Sequence, residues 1–499
     1  MSQRPVPPPT ELEVKFHLPS GAEASLEGHP ALQSVDVRQA HEVTTYFDTP
    51  AGVLYREGCS LRVRRRGCRH VQTLKVGGGR NDAFARNEWE WPVSTESPNL
   101  DLLAETPAAT LLSKAPALQP VFVTDVQRTT RTIRHDGATI EVALDCGRID
   151  ADEATEKIRE LELELKDGAA DPMYRLAARL HADVPVTLGA ESKADRGWRL
   201  RTGRPRNAVK HADIELPKHV TAGEAFRRIV DGVLAHLMVN QPATVAGDAE
   251  GVHQMRIAIR RLRAALMLFR PQLEPHAVAR YTEVLRDLGR IFGEARDWDV
   301  FCTEMLISAE QQGVAPSWLD LLRGPAEAER RAAHARVANK MQRPALTATV
   351  LGLAAWGAPD GDSMHVPLAD LAPQLVDRLE HKVQRRGHHI THCAQDELHA
   401  LRKALKKLRY SVEFLAPLYG HKRVKAYLHG CKGLLKQLGM LNDAVVAVAL
   451  AEQLGGERRA ELAPAVAALA GWAADHRHKA RHRIQEGWHT FKSAPLPAH

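Results

Sequence analysis

The stretch TELEVKFHLP, residues 10–19, has the alternating pattern of a β-strand, but one of its two faces is charged. Successive side chains of a strand point to opposite faces, so Glu11, Glu13 and Lys15 share one face while the other face is apolar. Two carboxylates and an ammonium group in one row suit contact with solvent or with an ionic ligand. The stretch therefore predicts a strand whose charged row is not explained by core packing.

Six further runs before residue 167 alternate in the same way and are separated by Gly, Asp and Pro turns. The runs are LRVRRR (61–66), VQTLKV (71–76), NEWEWPV (87–93), RTTRTIRHDG (128–137), TIEVALDCG (139–147) and RELELELK (159–166). Most of them have one charged or polar face and one apolar face. Helical patterns interrupt the series at about 98–115 and 171–183. The first 200 residues are therefore predicted to form a mainly antiparallel β domain.

The charged faces allow two interpretations. For a single strand, the solvated side of a sheet is the commoner explanation. Seven such strands together favour a sheet that closes into a barrel, with the charged faces turned inward and the apolar faces covered. The acids at Glu11, Glu13 and 160–164 would then suit Mg²⁺ or Mn²⁺, and the arginines and lysines would suit phosphoryl oxygens. A metal-bridged polyphosphate needs both kinds of group.

The composition is that of a globular protein long enough for roughly two to four domains. Of the 499 residues, 44% are hydrophobic and 26% are charged, and we find no apolar run of about 18 residues that would span a membrane. The N-terminus, MSQRPVPPPT, lacks the apolar segment of a secretory signal, and residues 1–9 are predicted to be disordered. Six scattered cysteines suit a reducing compartment. We expect a cytoplasmic protein without a membrane partner.

The charge is unevenly divided along the chain. Residues 1–200 hold 25 Lys and Arg against 30 Asp and Glu, whereas residues 201–499 hold 43 against 31 and also contain 19 of the 25 histidines. The net charge is therefore −5 for residues 1–200 and +12 for residues 201–499. The second part is expected to present a basic surface to a polyanion.

The period of the apolar pattern changes from two to 3.6 after residue 200. The segment RTGRPRNAVKHADIELPKHV (201–220) contains Pro, Gly and basic residues without periodicity, and we place a linker at 201–214. From 215 to 495 the sequence is rich in Ala, Leu, Arg and Glu and predicts helices.

This helical part repeats itself. An offset of 146 residues aligns His253 with His399, and the alignment continues without a gap until Asp297 meets Asp443. Two related helical bundles are therefore predicted, at about 215–355 and 368–495.

Each predicted bundle contains one helix with a basic ridge. The ridge residues recur at i, i+3, i+7 and i+10, which is an arc of roughly 80° on an α-helix, and an apolar stripe lies on another side. They are His253, Arg256, Arg260 and Arg263 in the first bundle and His399, Arg402, Lys406 and Arg409 in the second. For one helix, a solvated surface is the commoner explanation. Like charges at this spacing repel, so two such ridges favour a polyanion that lies across both.

The first 200 residues resemble the CYTH superfamily of triphosphate tunnel metalloenzymes. ELEVK matches the E-x-E-x-K signature of that family, and further matching segments follow in order: TTYFDTP, LYREGCSLRVR, TLKV, RNEWEWPV, EVALDCG, ELELELK and ESKADRG. The resemblance implies an eight-stranded antiparallel tunnel over residues 10–200 that cleaves or cyclises triphosphates with a divalent metal. The expected fold class is multidomain α+β, a β-barrel followed by an all-α duplicated bundle.

The same resemblance implies roles for individual side chains. Glu11, Glu13 and Lys15 are the implied catalytic residues. The implied phosphate-binding residues are Lys15, Arg62, Arg64, Lys75, Arg128 and Lys193. The implied ligands of Mg²⁺ or Mn²⁺ are Glu11, Glu13, Asp145, Glu160, Glu162 and Glu164. Two points stay open at this stage: a shift in strand register would exchange Arg128 for Arg131, and any of the three glutamates at 160–164 could contact the metal.

The helical part resembles the CHAD family, the conserved-histidine α-helical domains, over about 215–490. Besides the two His-led helices, the resemblance rests on LGRIFGEARDWDV (288–300) and its partner LKQLGMLNDAVV (435–446). It implies binding of inorganic polyphosphate, with the histidines either donating to phosphate or capping helices. Lys406 stands where the pattern has Arg, and it keeps the charge without the planar fork. Asp297 and Asp443 are expected to pair with basic helix residues.

Together these observations predict that the tunnel hydrolyses inorganic triphosphate and that the helical part binds polyphosphate, in the cytoplasm or at polyphosphate granules. One alternative is an organic substrate, thiamine triphosphate or a nucleotide. Another is a polyphosphate-binding protein without catalysis. Sequence-specific nucleic-acid binding is not expected, because the helical part lacks a zinc-finger pattern and an aromatic stacking platform.

Overall fold

A computed structural model describes residues 10–34, 36–77, 84–113, 117–205, 207–356, 364–455 and 459–496. The segment predicted to be disordered, 1–9, lies outside the described residues. The chain forms two compact units: the first contains residues up to 212 together with 231–251 and 340–357, and the second contains 213–230, 252–339 and the residues from 358 onward. The predicted linker and the predicted bundle boundaries stay predictions.

Eight antiparallel strands in the described part of the chain close into a barrel. They are β1 (Thr10–His17), β2 (Val37–Asp48), β3 (Cys59–Arg66), β4 (Arg69–Val76), β5 (Ala85–Val93), β6 (Gln119–His135), β7 (Ala138–Ala151) and β8 (Ala154–Asp167). Their order is β5-β4-β3-β2-β6-β7-β8-β1, and pairing of β1 with β5 closes the barrel. A two-residue strand, β9 (Thr187–Leu188), also pairs with β1. The predicted eight-stranded antiparallel barrel is confirmed.

The alternating runs account for seven of the eight strands, and β2 is the one they miss. Its inward face carries Arg38, Ala40, Glu42, Thr44 and Tyr46, which all line the cavity of the barrel. The two charges are opposite in sign, are separated by an alanine and are followed by neutral groups, so the strand is harder to find from alternation alone. β2 pairs with β3 and β6 and is needed for closure.

Short helices and α4 cover the apolar outer faces of the strands. Five helices accompany the barrel in the residues described: α1 (Ala22–Glu27), α2 (Val53–Arg56), α3 (Pro107–Leu112), α4 (Ala170–Asp183) and α5 (Lys193–Thr202). Leu54 of α2 packs with Leu61 and Leu74, which point outward from β3 and β4. Trp198 of α5 packs with Phe122. Burial of these side chains leaves the charged faces turned toward the interior.

The rest of the described chain is helical apart from its connections. The helices are α6 (Ala222–Val245), α7 (Ala249–Leu268), α8 (Pro275–Val300), α9 (Leu306–Gln311), α10 (Pro316–Met341), α11 (Pro344–Ala354), α12 (Leu368–Gly387), α13 (Gln395–Leu415), α14 (His421–Gln453) and α15 (Arg459–Ser493). The two basic ridges lie on α7 and α13, as predicted. The all-α class of this half is confirmed.

Helix α14 has an 18-residue window with a mean hydropathy of 1.4, and 44% of that window is buried inside the protein. By length and composition it is the one helix among the described residues that could cross a membrane. Core helices of other proteins meet the same criterion.

Candidate functional site

The barrel encloses a charged cavity of about 280 Å³. Nine carboxylates line it: Glu11, Glu13, Glu42, Glu88, Glu90, Glu141, Asp145, Glu162 and Glu164. Ten cations line it: Lys15, Arg38, Arg62, Arg64, Arg66, Lys75, Arg86, Arg128, Lys166 and Lys193. The charged rows of the strands therefore face inward. The two signs are nearly balanced, so a bare polyanion would find little excess positive charge here.

The cavity is open at one end of β8 and blocked further along the same strand. Side-chain exposure falls in steps from 42% at Lys166 to 24% at Glu164, 13% at Glu162 and 0% at Glu160. Glu160 is thus the one predicted tunnel residue that does not line the cavity.

The inner end contains a compact acidic cluster of Asp145, Glu160 and Glu162, whose ligand atoms lie within 4.8 Å of one another. The Lys193 ammonium sits among them, 2.7 Å from Asp145 Oδ2, 2.8 Å from Glu160 Oε2 and 2.7 Å from Glu162 Oε1. Arg128 donates to both oxygens of Asp145, at 2.7 and 2.6 Å, and also contacts Glu162. These carboxylates are already compensated by the protein's own cations.

The pKa values of this cluster reflect that compensation. Burial alone would raise the pKa of Glu162, but Lys15, Lys193 and Arg128 hold it well below its usual range. Lys193 is the first residue of α5, which begins with a capping box between Ser192 and Asp195. The cap fixes where the helix starts and therefore where the ammonium group enters the cavity.

The acids nearer the opening are less compensated. Lys75 Nζ lies 2.5 Å from Glu11 Oε2, and Lys15 Nζ lies 3.3 Å from Glu13 Oε1. That oxygen of Glu13 is buried and makes no hydrogen bond to any described residue. Burial, with Glu11 and Glu141 nearby, raises the pKa of Glu164 to about 7, although Lys166 donates to it. Carboxylates that repel one another in this way have capacity for a cation.

The opposite wall of the cavity is rich in arginine. Arg62 lies 3.5 Å from Glu88, and Arg64 lies 3.5 Å from Glu42. Burial and the neighbouring Arg62 lower the pKa of Arg64, which indicates concentrated positive charge. Arg66 contacts Glu42 as well. Sequence reasoning missed Arg66 and Glu42, although Arg66 follows by simple alternation from Arg62 and Arg64.

The structure resolves the choice between Arg128 and Arg131. Arg128 pairs in register with Asp145 and faces the cavity. The Arg131 guanidinium donates to the carbonyl oxygens of Glu27 and Leu32, at 3.1 and 3.2 Å, and does not line the cavity.

In the helical part, the middle residues of the two ridges lie close to one another, whereas the residues at the ends of the ridges do not. Burial, followed by the charges of Arg260, Arg402 and Arg256, lowers the pKa of Lys406 to about 5. Arg256 donates to Asp297 Oδ1 and to the Gly293 carbonyl, both at 3.0 Å. The expected pairing of Asp297 with a basic helix residue is thus present. The four basic side chains Arg256, Arg260, Arg402 and Lys406 share one partly buried region.

The outer ridge residues have separate surroundings. Arg409 lies 3.2 Å from Glu413 and stacks over the ring of Tyr410. His399 Nδ1 lies 2.9 Å from the Asn442 side chain at the surface. His253 is partly buried, and Arg263 is near Arg286 instead of the central group. Lys407, missed from the sequence, lies near Arg263 and near three further cations: Lys382, Arg386 and Lys403.

Two known domain families match separate parts of this chain. The CYTH domain matches residues 9–197, and the CHAD domain matches residues 228–452. The chain carries a CYTH domain followed by a CHAD domain. The barrel is therefore the CYTH domain, and the two basic ridges belong to the CHAD domain.

Relatives resemble different extents of the chain. An inorganic triphosphatase of Haemophilus influenzae is 33% identical over 159 residues, which cover 31% of this chain and 45% of that protein. An uncharacterized protein of Mycobacterium tuberculosis is 27% identical over 438 residues, 80% of this chain and 81% of its own length. A crystal structure of the CHAD domain from the plant Ricinus communis is 27% identical, covers 58% of this chain and 99% of its own, and superposes with a TM-score of 0.49.

Proposed function

We propose that the CYTH domain hydrolyses inorganic triphosphate to diphosphate and phosphate with Mg²⁺ or Mn²⁺, and that the CHAD domain binds inorganic polyphosphate. The observation that carries the first part is the cavity of the closed barrel, in which an acidic wall faces an arginine wall. The name of the Haemophilus influenzae relative supports the same reaction. We further propose a cytoplasmic location, with association to polyphosphate granules through the CHAD domain.

The less compensated acids near the opening fit a divalent metal ion better than the inner cluster does. Glu11, Glu13 and Glu164 would hold Mg²⁺ or Mn²⁺, because their oxygens are hard ligands and each pairs with one lysine, whereas each acid of the inner cluster contacts two or more cations. The bound ion would neutralise phosphoryl charge and lower the pKa of a coordinated water. In this proposal Asp145, Glu160 and Glu162 instead hold Lys193 and Arg128 in place.

The cationic side chains would bind the substrate. Arg62, Arg64 and Arg128 offer planar forks to phosphoryl oxygens, and Lys15, Lys75 and Lys193 offer ammonium groups. A chain of phosphoryl units held between these groups would have its charge stabilised as the leaving group departs. Lys15 also neighbours Glu13, so it would hold the reacting phosphoryl group next to the metal ligands.

Phosphate release from triphosphate, ATP, thiamine triphosphate and polyphosphate, each with and without Mg²⁺, tests this proposal. We expect metal-dependent release that is fastest with inorganic triphosphate. Faster release from ATP or thiamine triphosphate would mean that the substrate is an organic triphosphate instead. The absence of release from every compound would favour a polyphosphate-binding protein without catalysis.

Glu164→Gln and Glu160→Gln are expected to have different effects. Loss of a metal ligand at Glu164 should raise the Mg²⁺ concentration needed for half-maximal activity by about 10- to 100-fold. Glu160 is fully buried beside Lys193 and Arg196, so its loss leaves cations unpaired and should lower the free energy of unfolding by about 3 kcal/mol. Mg²⁺ titration of activity and denaturant unfolding measure the two effects. If Glu160→Gln raised the Mg²⁺ requirement and Glu164→Gln lowered the stability instead, the metal would lie at the inner cluster.

The central group of the CHAD ridges supports the second part of the proposal. Burial and the neighbouring charges, Arg256 among them, lower the pKa values of Arg260, Arg402 and Lys406, and such repulsion is relieved when a polyanion binds. Polyphosphate offers charge without bases to read, which fits a central group that consists of arginine and lysine side chains. Competition of polyphosphate and DNA for the full-length protein would distinguish the two ligands.

Lys406→Arg is expected to abolish proton uptake on polyphosphate binding. With a pKa of about 5, Lys406 is neutral at pH 7 in the free protein, and a bound polyanion restores its ammonium form. Binding by the wild-type protein therefore takes up protons and weakens as the pH rises from 6 to 8. The facing groups are Arg256, Arg260, Arg402 and Asp443. Arginine stays charged throughout, so the variant should bind with little pH dependence.

Calorimetric titration in buffers of different ionisation enthalpy measures this uptake. Lys403→Arg is the matched control, because Lys403 is an exposed residue of the same helix. Equal proton uptake by the wild-type protein and Lys406→Arg would contradict the prediction.

A further inference from the structure

Helix α11 lies within residues 228–452, the part of the chain that matches the CHAD domain, yet it packs against the barrel. It lies on α4, the helix that covers β1, β7 and β8. Seven of its eleven residues are buried, among them Leu346, Val350 and Leu351. Its sequence, PALTATVLGLA, has almost no polar surface of its own. The contact is therefore a buried apolar interface within the first compact unit.

Two polar contacts fix the position of α11 on the barrel. The imidazole of His181, at the end of α4, lies between the carbonyl oxygens of Val186 and Pro344, at 2.8 and 3.0 Å. The backbone N–H of Leu188 donates to Thr347 Oγ1 at 3.2 Å. Leu188 and Thr347 are both buried, so water is a poor substitute for this hydroxyl.

The second of these contacts leads directly to the catalytic strand. Leu188 belongs to β9, which has only two residues and pairs with Phe16 and His17 of β1. The next residue, Gly189, donates its N–H to the Lys15 carbonyl at 2.8 Å. A Cβ on Gly189 would lie 3.2 Å from Lys15 Cγ, so the backbone at this point is pressed against the lysine side chain.

We propose that α11 is a positioning element of the tunnel, and that Thr347 holds β9 against β1 and thereby orients Lys15. The proposal rests on the proposed function for its kinetic consequence, but not for its structural one. A two-residue strand has few hydrogen bonds of its own, so an external acceptor has a large share in holding it. Thr347 is not among the described residues that line the cavity, so it acts through Leu188 and Gly189.

Three variants of the full-length protein test the role of the hydroxyl. Thr347→Val removes the acceptor while keeping the shape, and Thr347→Ser restores it. Thr349→Val is the matched control, because Thr349 is also a buried threonine of α11, but its hydroxyl donates to Ala345 of its own helix at 2.6 Å.

Hydrogen exchange and steady-state kinetics are measured for each variant. We expect exchange at the Leu188 and Gly189 amides to be roughly 2- to 10-fold faster in Thr347→Val, the effect of losing one hydrogen bond. We also expect a several-fold lower kcat for triphosphate with a KM within about twofold, because displacement of Lys15 disturbs the reacting geometry. Thr347→Ser and Thr349→Val should resemble the wild-type protein in both measurements.

The outcomes separate this proposal from the proposed function. If exchange at Leu188 and Gly189 is the same in Thr347→Val and Thr349→Val, the positioning role is wrong. Faster exchange with unchanged kcat also contradicts it, because β9 would then not orient Lys15. If the wild-type protein hydrolyses no triphosphate, the proposed function fails, and the exchange at Leu188 and Gly189 still decides whether Thr347 holds this part of the barrel.

Discussion

Glu13→Gln is expected to lower kcat for triphosphate hydrolysis by about 100-fold or more, an effect comparable to removing one preorganised charge from a transition state. The Glu13 carboxylate is buried in the cavity, where its Oε1 lies 3.3 Å from Lys15 Nζ but makes no well-directed hydrogen bond with a described residue. An amide has nearly the same shape but no negative charge for a divalent ion. Binding of polyphosphate by the CHAD domain should be unchanged.

The control for Glu13→Gln is Glu23→Gln. Glu23 lies on α1, outside the cavity, and pairs with Arg159 at 3.3 Å. The change in net charge is the same, so a difference between the variants depends on position. Initial rates of phosphate release at saturating Mg²⁺ provide the measurement. If the Glu13 variant keeps wild-type turnover, the metal ligands lie elsewhere in the cavity.

The combined change Arg256→Glu and Arg402→Glu is expected to weaken polyphosphate binding by about 100-fold or more while triphosphate hydrolysis continues. The two guanidinium groups belong to the central group of Arg256, Arg260, Arg402 and Lys406, so reversing both removes the excess of positive charge in this region. Fewer counterions are then released on binding, and the dependence of affinity on salt becomes shallower. Titration with polyphosphate at several ionic strengths measures both quantities.

Arg290→Glu with Arg331→Glu is the matched control for this charge reversal. Both arginines are exposed on helices of the same compact unit, and the change in net charge is identical. Equal weakening by the two double variants would mean that overall charge, and not the central group, attracts the polyanion. Circular dichroism of the Arg256 and Arg402 variant checks that loss of the Arg256–Asp297 contact leaves the helices intact. Loss of both binding and hydrolysis would contradict separate roles for the two domains.

Local periodicity was enough to identify the charged rows and the basic ridges. The side chains of Glu11, Glu13 and Lys15 share a face because a strand alternates with a period of two. Arg256 and Arg260 share one face of α7, and Arg402 and Lys406 share one face of α13, because an α-helix has 3.6 residues per turn. These rules involve neighbours in the chain only, so they apply before the fold is known. β2 was missed because its inward face carries only Arg38 and Glu42, of opposite sign, among neutral groups.

The depth of each residue in the cavity follows from pairing between distant strands. Glu160 and Glu164 occupy equivalent alternating positions in the run RELELELK. In the structure, however, Glu160 is buried against Lys193 and Arg196, whereas Glu164 lies near the opening. Arg128 faces the cavity because it pairs with Asp145 across two strands. A register of this kind depends on contacts that no local pattern records.

The sequence alone determined the eight-stranded barrel, the helical second half and the sign of charge on each inward or ridge position, since these depend on local periodicity and on recognisable motifs. The tertiary structure alone decided which acids are already paired, how closely the two ridges approach, and that α11 supports β9. Paired charge and mutual repulsion depend on distances of a few ångströms between residues far apart in the chain, and folding sets those distances.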